Sequence, residues 1–336
     1  LAVREVMPPP IPAGTLLFSF KLSIGKMGIA GVPLYTNEAI ASLEIKPGAS
    51  VTPEFLRYAL TACSSEAGAN HAVLGKVLNK AKVESLPIPL PPLGEQQRIV
   101  DILSRAEGIV RLRREAQQKA AEIIPALFLD LFGDPATNPK GWPLRPFSEL
   151  GSLDRGRSRH RPRDAEELYG GPYPFIQTGD VSNSGGLITR YSSTYSEAGL
   201  AQSKLWKKGT LCITIAANIA QTGVLGFDAC FPDSVVGFLG GDEVSTEYIQ
   251  VWLSFLQPAL EAYAPQVAQK NINLDILRKL PVMSPPLALQ QNFSHRCRDV
   301  LSLRLQQNRS LTVAQATFDA LLAQSFAPPT AQQAAA

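Results

Sequence analysis

The fold of this chain is decided by a phrase that occurs twice: LPIPLPPLGEQQ at residues 86–97 and LPVMSPPLALQQ at residues 280–291. The two copies lie 194 residues apart, which is far longer than the repeat of a solenoid or a propeller. A chain of 336 residues is long enough for about two domains. The repeated phrase therefore predicts that a whole domain, together with the segment that follows it, occurs twice.

The similarity between the two halves extends well beyond this phrase. Upstream of each copy, an apolar stretch with strand-like alternation surrounds a glycine turn, and an amphipathic stretch with helical periodicity follows. Each half therefore predicts an α/β domain that ends in the proline-rich phrase. The aligned stretches are 13–31 with 208–226, 51–60 with 244–253, and 76–87 with 270–281.

A long helix is predicted after each copy, because apolar and polar seam positions recur in steps of four and three. Such a pattern is also typical of an ordinary core-facing helix, but here the same phase follows the same phrase twice. We therefore predict an α/β fold class, with two pseudo-repeated α/β domains separated by two long antiparallel coiled-coil helices. Pro125 inside the first helix predicts a kink or fraying. The seam positions are Ile99, Leu103, Ala106, Val110, Arg113, Gln117, Ala120, Ile124 and Leu127, and Phe293, Cys297, Val300, Arg304, Gln307, Leu311, Ala314, Phe318 and Leu321.

The chain is expected to divide into five segments. The stretch LFGDPATNPKGWP at residues 131–143 carries turn signals that mark the start of the second domain. Residues 142–195 have no counterpart in the first half, so we expect the first domain to lack its front part, as in a fragment or a truncated gene product. The predicted segments are 1–93 (first domain), 94–141 (first helix), 142–287 (second domain), 288–326 (second helix) and 327–336 (disordered tail).

Composition excludes several classes of protein. The formal net charge is only +3, so a nucleic-acid partner has to be sought in local charge clusters. The four cysteines and three histidines are scattered, which favours small buried thiols and a reducing cytoplasm over a zinc site or a disulfide framework. No apolar run reaches the length of a membrane span. We expect a cytoplasmic protein without a membrane partner.

The motifs of the common nucleotide-dependent enzymes are missing. The stretch IGKMG at residues 24–28 has methionine where a phosphate-binding loop needs a hydroxyl, and its repeat lacks the lysine. No glycine-rich methyltransferase loop and no Gly-x-Ser-x-Gly elbow is present. Glu44 and Lys46 form a formal nuclease motif, but they stand at a predicted strand end and are not repeated. We therefore expect a non-catalytic chain that uses no cofactor and no metal.

One cluster favours DNA binding: RGRSRHRPR at residues 155–163 holds five arginines in nine residues. Arginine binds guanine edges and phosphates, although a charge run is also typical of a flexible, solvated loop. The stretches LGKVLN (74–79) and AQKNIN (268–273) add amides that can read adenine, or that can simply cap helices. The candidate DNA-binding residues are Arg155, Arg157, Arg159, Arg161, Arg163, Lys204, Lys207, Gln269, Lys270, Asn271, Lys26, Lys76 and Asn79.

These features together resemble a known family. Four stretches are similar to motifs of the specificity subunit of type I restriction–modification systems. They are GTLLFSFKLSIGKMGIA (14–30), YTNEAI (35–40), LPIPLPPLGEQQRIVDIL (86–103) and LFGDP (131–135). The resemblance implies two target-recognition domains, each reading one half of a bipartite double-stranded DNA target. It also implies helical spacers that dock modification (methyltransferase) subunits and, through them, the restriction subunit. The specificity subunit itself has no active site.

Two departures from the family pattern and two alternatives stay open at this point. The first domain is shortened, and Leu289 stands where the first copy has Glu95. The chain is therefore also compatible with a truncated or orphan half-specificity subunit that needs a second chain. A coiled-coil adaptor without DNA contacts is the other alternative, and an independent enzyme ranks third.

Overall fold

A computed structural model describes residues 9–19, 25–66, 86–216, 218–263 and 272–327. The elements in chain order are β1 (Leu16–Ser19), β2 (Met27–Ile29), β3 (Ile40–Leu43), α1 (Pro53–Glu66), α2 (Leu93–Phe132), β4 (Leu144–Pro146), β5 (Gly151–Arg155), β6 (Tyr169–Phe175), α3 (Thr178–Ser182), β7 (Leu187–Ile188), β8 (Ser193–Tyr195), α4 (Glu197–Ala201), β9 (Leu211–Thr214), β10 (Thr222–Leu225), β11 (Val235–Gly240), α5 (Thr246–Tyr263), α6 (Leu274–Lys279), β12 (Pro281–Met283) and α7 (Leu287–Phe326). Short 3-10 turns lie at Phe147–Glu149 and Glu166–Leu168.

Contacts divide the chain into two compact units. Unit 1 is Leu1–Gln117 with Gln306–Ala336, and unit 2 is Gln118–Leu305. Both boundaries fall inside the long helices α2 and α7, so each unit contains one part of each helix. The sequence-based segments treated the helices as separate from the α/β domains. The contacts instead assign each part of a helix to the globular elements on which it packs.

Unit 1 contains a three-stranded antiparallel sheet in the order β2-β1-β3, followed by α1. Its main core cluster lies between α1 and the two long helices. Burial of aromatic and aliphatic side chains of this size stabilises a fold by about 1.5–3 kcal/mol each. The buried members of this cluster are Phe55, Tyr58, Ala59, Ala62, Ile99, Leu103 and Leu322.

Unit 2 is built on a five-stranded sheet in the order β5-β11-β9-β10-β7, in which only the β10–β7 pair is parallel. Two smaller ladders join β12 to β4 and β6 to β8. The main core packs the sheet against α5 and the parts of α2 and α7 that belong to this unit. Its largest fully buried members include Phe128, Phe132, Phe147, Phe238, Tyr248, Trp252 and Phe293.

The two units repeat the same strand register. In unit 1, Leu16 of β1 lies opposite Ile29 of β2 and Leu43 of β3. In unit 2, Leu211 of β9 lies opposite Val224 of β10 and Phe238 of β11. Because each residue of the second set lies 195 positions after its counterpart, the three-strand core is duplicated residue for residue. The predicted pair of apolar strands is found in both units, but the matching glycines Gly28 and Gly223 lie inside β2 and β10 and do not form the turn between the strands.

The first copy of the repeated phrase contains a buried glutamine that makes three hydrogen bonds. Gln96 is fully buried, and its Oε1 accepts a hydrogen bond from the backbone N–H of Thr52 (3.1 Å). Its Nε2 donates to the carbonyl oxygens of Ser50 (2.7 Å) and Pro91 (2.9 Å). The glutamine thereby ties the start of α1 to the proline-rich exit and to the long helix.

The same arrangement is found in unit 2. Gln290 is 1% exposed, and its Oε1 accepts from the backbone N–H of Ser245 (3.0 Å). Its Nε2 donates to the carbonyl oxygens of Pro285 (2.8 Å) and Glu243 (3.4 Å). Pro91 and Gln96 of the first copy therefore make the same contact as Pro285 and Gln290 of the second copy. This equivalence explains why the phrase occurs twice.

The long helices α2 and α7 each comprise 40 residues. Helix α2 continues through Pro125 to Phe132, so of the expected kink or fraying at this proline the fraying is wrong, and the kink stays a prediction. Phe128 and Phe132, which follow the proline, are fully buried in the core of unit 2, and this packing holds the last turns of the helix. Gly133, with φ of +82°, ends the helix, and a Cβ there would lie 2.6 Å from Cγ of Pro139.

The heptad seam pairs the helices within unit 1. Every predicted seam position in either helix is buried or half-buried except Arg113. The Arg113 guanidinium donates to Gln307 Oε1 (3.5 Å), and Gln117 Nε2 donates to Asn308 Oδ1 (2.6 Å). Leu103 of α2 shares a core cluster with Leu322 of α7, so the helices run antiparallel. The fold class of two α/β domains linked by paired helices is confirmed.

Candidate nucleic-acid interface

The arginine-rich stretch of residues 155–163 lies at the edge of the five-stranded sheet of unit 2. Arg155 is the last residue of β5, which is the edge strand next to β11. Backbone pairing continues past the strand, because the N–H of Gly156 donates to the carbonyl of Val235 (2.9 Å). The N–H of Arg157 then donates to the carbonyl of Phe231 (3.0 Å). The chain therefore remains extended through Arg157.

This extended backbone sorts the side chains onto two sides. Arg155, Arg157 and Arg159 are exposed, whereas the intervening Gly156 and Ser158 are buried. Alternation with a period of two is the expected geometry of an extended strand. The three exposed arginines therefore share one side of the segment. We call Arg155, Arg157 and Arg159 the arginine ladder.

Side chains from a distant part of the chain hold the segment in place. Gln202 Oε1 accepts hydrogen bonds from the backbone N–H groups of Arg159 (2.5 Å) and His160 (3.0 Å). The hydroxyl of Ser203 donates to the carbonyl of Arg157 (2.8 Å). The interpretation of this stretch as a loop without fixed contacts is therefore wrong for its backbone.

Gly156 is required by close packing. A Cβ at this position would lie 2.2 Å from the carbonyl oxygen of Phe231 and 2.4 Å from that of Pro232. Real Cβ atoms do not approach backbone oxygens so closely, so any other residue would push the segment away from the sheet. Glycine at this position lets the arginine ladder continue directly from β5.

The five arginines differ in what their guanidinium groups bind. Arg163 forms a bidentate ion pair with Asp233 at 3.0–3.1 Å. The guanidinium of Arg161 donates to the carbonyls of Ser158 (2.8 Å) and His160 (2.7 Å). Within the described part of the chain, none of the three ladder guanidinium groups makes an ion pair. The ladder therefore presents three uncompensated positive charges to solvent.

Lys204 lies close to the arginine ladder. Its Nζ is 3.6 Å from the Asp154 carboxylate and 3.7 Å from the ring centroid of Trp206. Asp154 is adjacent to Arg155, and Ser203, which bonds the carbonyl of Arg157, is adjacent to Lys204. The structure therefore brings this predicted lysine and the ladder together.

Lys207 is neutralised by a partner. Its Nζ donates to Asp228 Oδ2 (2.9 Å), and the backbone N–H of Lys208 donates to the other carboxylate oxygen (2.9 Å). These two hydrogen bonds lower the pKa of the Asp228 carboxyl, the backbone bond contributing most. Lys207 therefore offers a weaker site for an anion than the ladder arginines do.

The remaining candidates fall elsewhere. Lys26 belongs to unit 1, where it is exposed just before β2. Asn273, at the end of the AQKNIN stretch, caps α6, because its Oδ1 accepts from the N–H of Ile276 (2.8 Å), so the capping interpretation is confirmed for this residue. Lys76, Asn79, Gln269, Lys270 and Asn271 lie outside the described residues.

A polar recess of about 230 Å³ opens beside the segment. Sequence reasoning missed this recess, together with Gln202 and Ser203, because its walls come from five separated stretches and no local pattern links them. It combines hydrogen-bonding groups with two aromatic rings. The lining residues are Ser158, Arg163, Tyr169, Phe175, Gln177, Thr178, Pro232 and Ser234.

The paired helices of unit 1 carry a second candidate surface. A groove of about 430 Å³ lies between α2 and α7, and Ile109 and Val313 in its walls are 52% and 66% exposed. Arg113 and Arg309 also line it, together with Ala106, Ser310, Ala314 and Thr317. Large exposed apolar side chains clustered on one surface mark a site of protein interaction more often than isolated ones do.

Three of the four cysteines, Cys212, Cys230 and Cys297, are buried, as predicted, and burial raises the pKa of each thiol. Among the described residues, no group of three or more His, Cys, Asp and Glu side chains is arranged to hold a metal ion. No helix in the described ranges combines the length and the hydrophobicity that a membrane span needs.

Comparisons with known proteins agree with this geometry. The family model for the type I restriction modification DNA specificity domain matches residues 8–122 and 139–311. The type I restriction enzyme HindI specificity subunit of Haemophilus influenzae is 23% identical over 184 residues, which are 52% of this chain and 39% of that protein. The chain thus matches well under two thirds of the length of this relative.

Solved structures give the same result for the fold. A chain from a study of complex assembly and conformational transition of the type I R-M system has a TM-score of 0.61 at 18% identity, covering 96% of this chain and 85% of that one. The S subunit of a type I restriction–modification system from M. genitalium has a TM-score of 0.55 at 15% identity, with the same coverage. At this identity the likeness shows the fold alone. Because the family model matches most of the chain in two blocks, this protein belongs to the family of type I restriction–modification DNA specificity domains.

Proposed function

We propose that this chain is the DNA sequence-recognition subunit of a type I restriction–modification complex. The observation that carries the proposal is the arginine ladder, three exposed guanidinium groups without ion pairs among the described residues, on a backbone that is held by five hydrogen bonds. An uncompensated row of cations is stabilised by a polyanion. In a chain of this family, double-stranded DNA is the polyanion that fits.

The spacing of the ladder suits a nucleic-acid strand. Two residues of extended chain advance about 6.7 Å, so the ladder spans about 13 Å from Arg155 to Arg159. Along one strand of DNA the axial rise is about 3.4 Å per nucleotide. The three arginines therefore match phosphates or base edges about two nucleotides apart. Arginine also forms bidentate hydrogen bonds with guanine, so the same ladder can contribute to base choice.

We assign the recognition of the two halves of a bipartite target to segments 1–93 and 142–287, and the spacer role to segments 94–141 and 288–326. Support comes from the duplicated strand register and the duplicated glutamine contacts. The candidates Lys26, Lys76, Asn79, Lys204, Lys207, Gln269, Lys270 and Asn271 remain proposed DNA contacts, with Lys207 a weaker one because Asp228 pairs with it. Arg161 and Arg163 act mainly by shaping the segment.

We also infer that the chain acts without catalysis of its own and that modification subunits, with a restriction subunit bound through them, supply the chemistry. The sequence lacks a phosphate-binding loop and a methyltransferase loop, which supports this division. The exposed groove on the paired helices of unit 1 is the proposed contact for a modification subunit. Placing a negative charge in the apolar wall with Val313→Glu should then reduce co-purification with that subunit while DNA binding by the chain persists.

The test of DNA recognition is a salt titration. The triple variant Arg155→Ala, Arg157→Ala, Arg159→Ala is compared with wild type on a DNA duplex selected from a random library. Each lost phosphate contact should reduce the slope of log K against log salt by about 0.9. The matched control removes three arginines that are exposed on the helices, Arg105, Arg296 and Arg298. Equal losses in both triple variants would reject the ladder, and sequence-indifferent binding by wild type would favour a role without recognition.

A further inference from the structure

Unit 2 contains a cavity that the function described above does not use. Its volume is about 260 Å³, and it lies between α5, the end of α2, the start of α7 and the turn before β10. Ile124, Val251 and Leu301 form an apolar wall. Polar groups line another part of it, notably Glu247, Gln250, Ser254, Gln257 and Arg304.

The duplicated fold shows what occupies the corresponding place in unit 1. Counting along the repeat, Tyr58 of α1 corresponds to Val251, and Phe318 of α7 corresponds to Ile124. The Tyr58 and Phe318 rings lie 6.4 Å apart between their centroids, and Tyr58 is only 1% exposed. Two aromatic rings therefore fill in unit 1 the space that two branched aliphatic residues leave open in unit 2.

The polar surroundings in unit 1 also suit a phenol ring. The guanidinium carbon of Arg57 lies 4.0 Å above the Tyr58 ring, and the Tyr58 hydroxyl donates to Glu107 Oε2 (2.8 Å). In unit 2 the equivalents of Arg57 and Glu107 are Gln250 and Leu301. The cavity therefore lacks the ring and the charged pair that unit 1 has, whereas Glu247 and Arg304 offer polar contacts.

We propose that this cavity receives an aromatic side chain, a tyrosine, from a partner polypeptide that docks on the paired helices of unit 2. A void in a packed interior forfeits dispersion contacts, and a ring is the group that the same framework accommodates in unit 1. That ring is delivered there by a side chain on a backbone, which favours a polypeptide over a free small molecule. The apolar wall takes the ring, and the carboxylate of Glu247 or the guanidinium of Arg304 takes its hydroxyl.

The experiment uses the full chain and needs neither DNA nor another subunit, so its result is independent of the proposed DNA recognition. Saturation-transfer NMR is recorded with N-acetyl-tyrosinamide as the probe, and with p-cresol and N-acetyl-leucinamide as comparisons. Val251→Tyr places the unit 1 residue in the cavity and should weaken binding of the probe about tenfold or more. Val32→Tyr is the matched control, because Val32 is 64% exposed in unit 1 and does not line this cavity.

The outcomes are distinct. Binding of N-acetyl-tyrosinamide that Val251→Tyr abolishes and Val32→Tyr preserves supports the proposal. Equal binding of N-acetyl-leucinamide overturns the aromatic assignment, and binding of p-cresol alone overturns the polypeptide source. No binding of any probe to wild type overturns the site. Where Val251→Tyr does not fold, Ile124→Phe, which restores the other ring, is used in the same comparison.

Discussion

The buried glutamines of the repeated phrase provide the sharpest test of the fold. In each copy two glutamines stand side by side, Gln96 with Gln97 and Gln290 with Gln291. Only the first of each pair is buried. Replacing Gln96 by leucine removes three hydrogen bonds and leaves the N–H of Thr52 and the carbonyls of Ser50 and Pro91 without this partner.

The expected cost follows from these contacts. A net contribution of about 1 kcal/mol per hydrogen bond predicts a loss of about 3 kcal/mol for Gln96→Leu, less what the apolar replacement recovers. Gln290→Leu should cost about 2 kcal/mol, since its bond to the carbonyl of Glu243 is long at 3.4 Å. Gln97→Leu is the matched control. Among the described residues the Gln97 side chain bonds only the exposed Asp101 carboxylate (2.9 Å), so a change below about 0.5 kcal/mol is expected.

The assay is unfolding in urea that is monitored by hydrogen exchange. The amides of α1 report on unit 1, and the amides of α5 report on unit 2. Gln96→Leu should reduce protection in α1, and Gln290→Leu in α5. Equal effects of Gln96→Leu and Gln97→Leu would show that the buried glutamine does not tie the helix start to the exit. The reasoning about the repeated phrase would then be refuted.

Three further predictions concern other contacts. The ion pair of Arg57 with Glu107 (2.8 Å) lowers the pKa of the Glu107 carboxyl, so the stabilisation that the pair provides is present at about pH 7 and is lost as the pH falls through the lowered pKa. The difference in unfolding free energy between wild type and Glu107→Gln should therefore shrink in acid, and it is small at any pH because Glu107 is 46% exposed. A difference that stays constant with pH would contradict this. Gly156→Ala, whose Cβ would lie 2.2 Å from the carbonyl of Phe231, should lower the melting temperature and weaken DNA binding together, whereas Gly94→Ala, with no atom within 4 Å, should do neither. Pro125→Ala restores a backbone N–H donor inside α2 and should raise the unfolding free energy by up to about 3 kcal/mol. A denaturant titration measures this change. A destabilised variant would contradict the reasoning, because it would show that the helix packs better with the proline than with alanine.

Much of the fold was predictable because its signals are local. The alternation of Leu16 and Phe18 in β1 reflects strand geometry directly, and the heptad steps reflect helix geometry in the same way. The repetition of these signals at offsets of 193–195 residues then predicted the duplicated domain. Of the kink or fraying predicted at Pro125, the fraying does not occur, because the packing of Phe128 and Phe132 holds the helix beyond the proline.

The candidate interface was only half predictable. Five arginines in nine residues are visible in the sequence, but their division into an exposed ladder and two internally bonded side chains is not. That division depends on Gln202, Ser203 and Asp233, which are distant in the chain and carry no recognisable spacing.

The amino-acid sequence alone determined the duplication, the element types and the family, because periodicity, turn residues and repeated words act over short distances along the chain. Only the tertiary structure decided which cations remain unpaired, why one glutamine of each pair is buried, and where unit 2 has a cavity that unit 1 fills. These properties depend on distances between atoms of residues that lie dozens of positions or more apart, and no pattern along the chain specifies such distances.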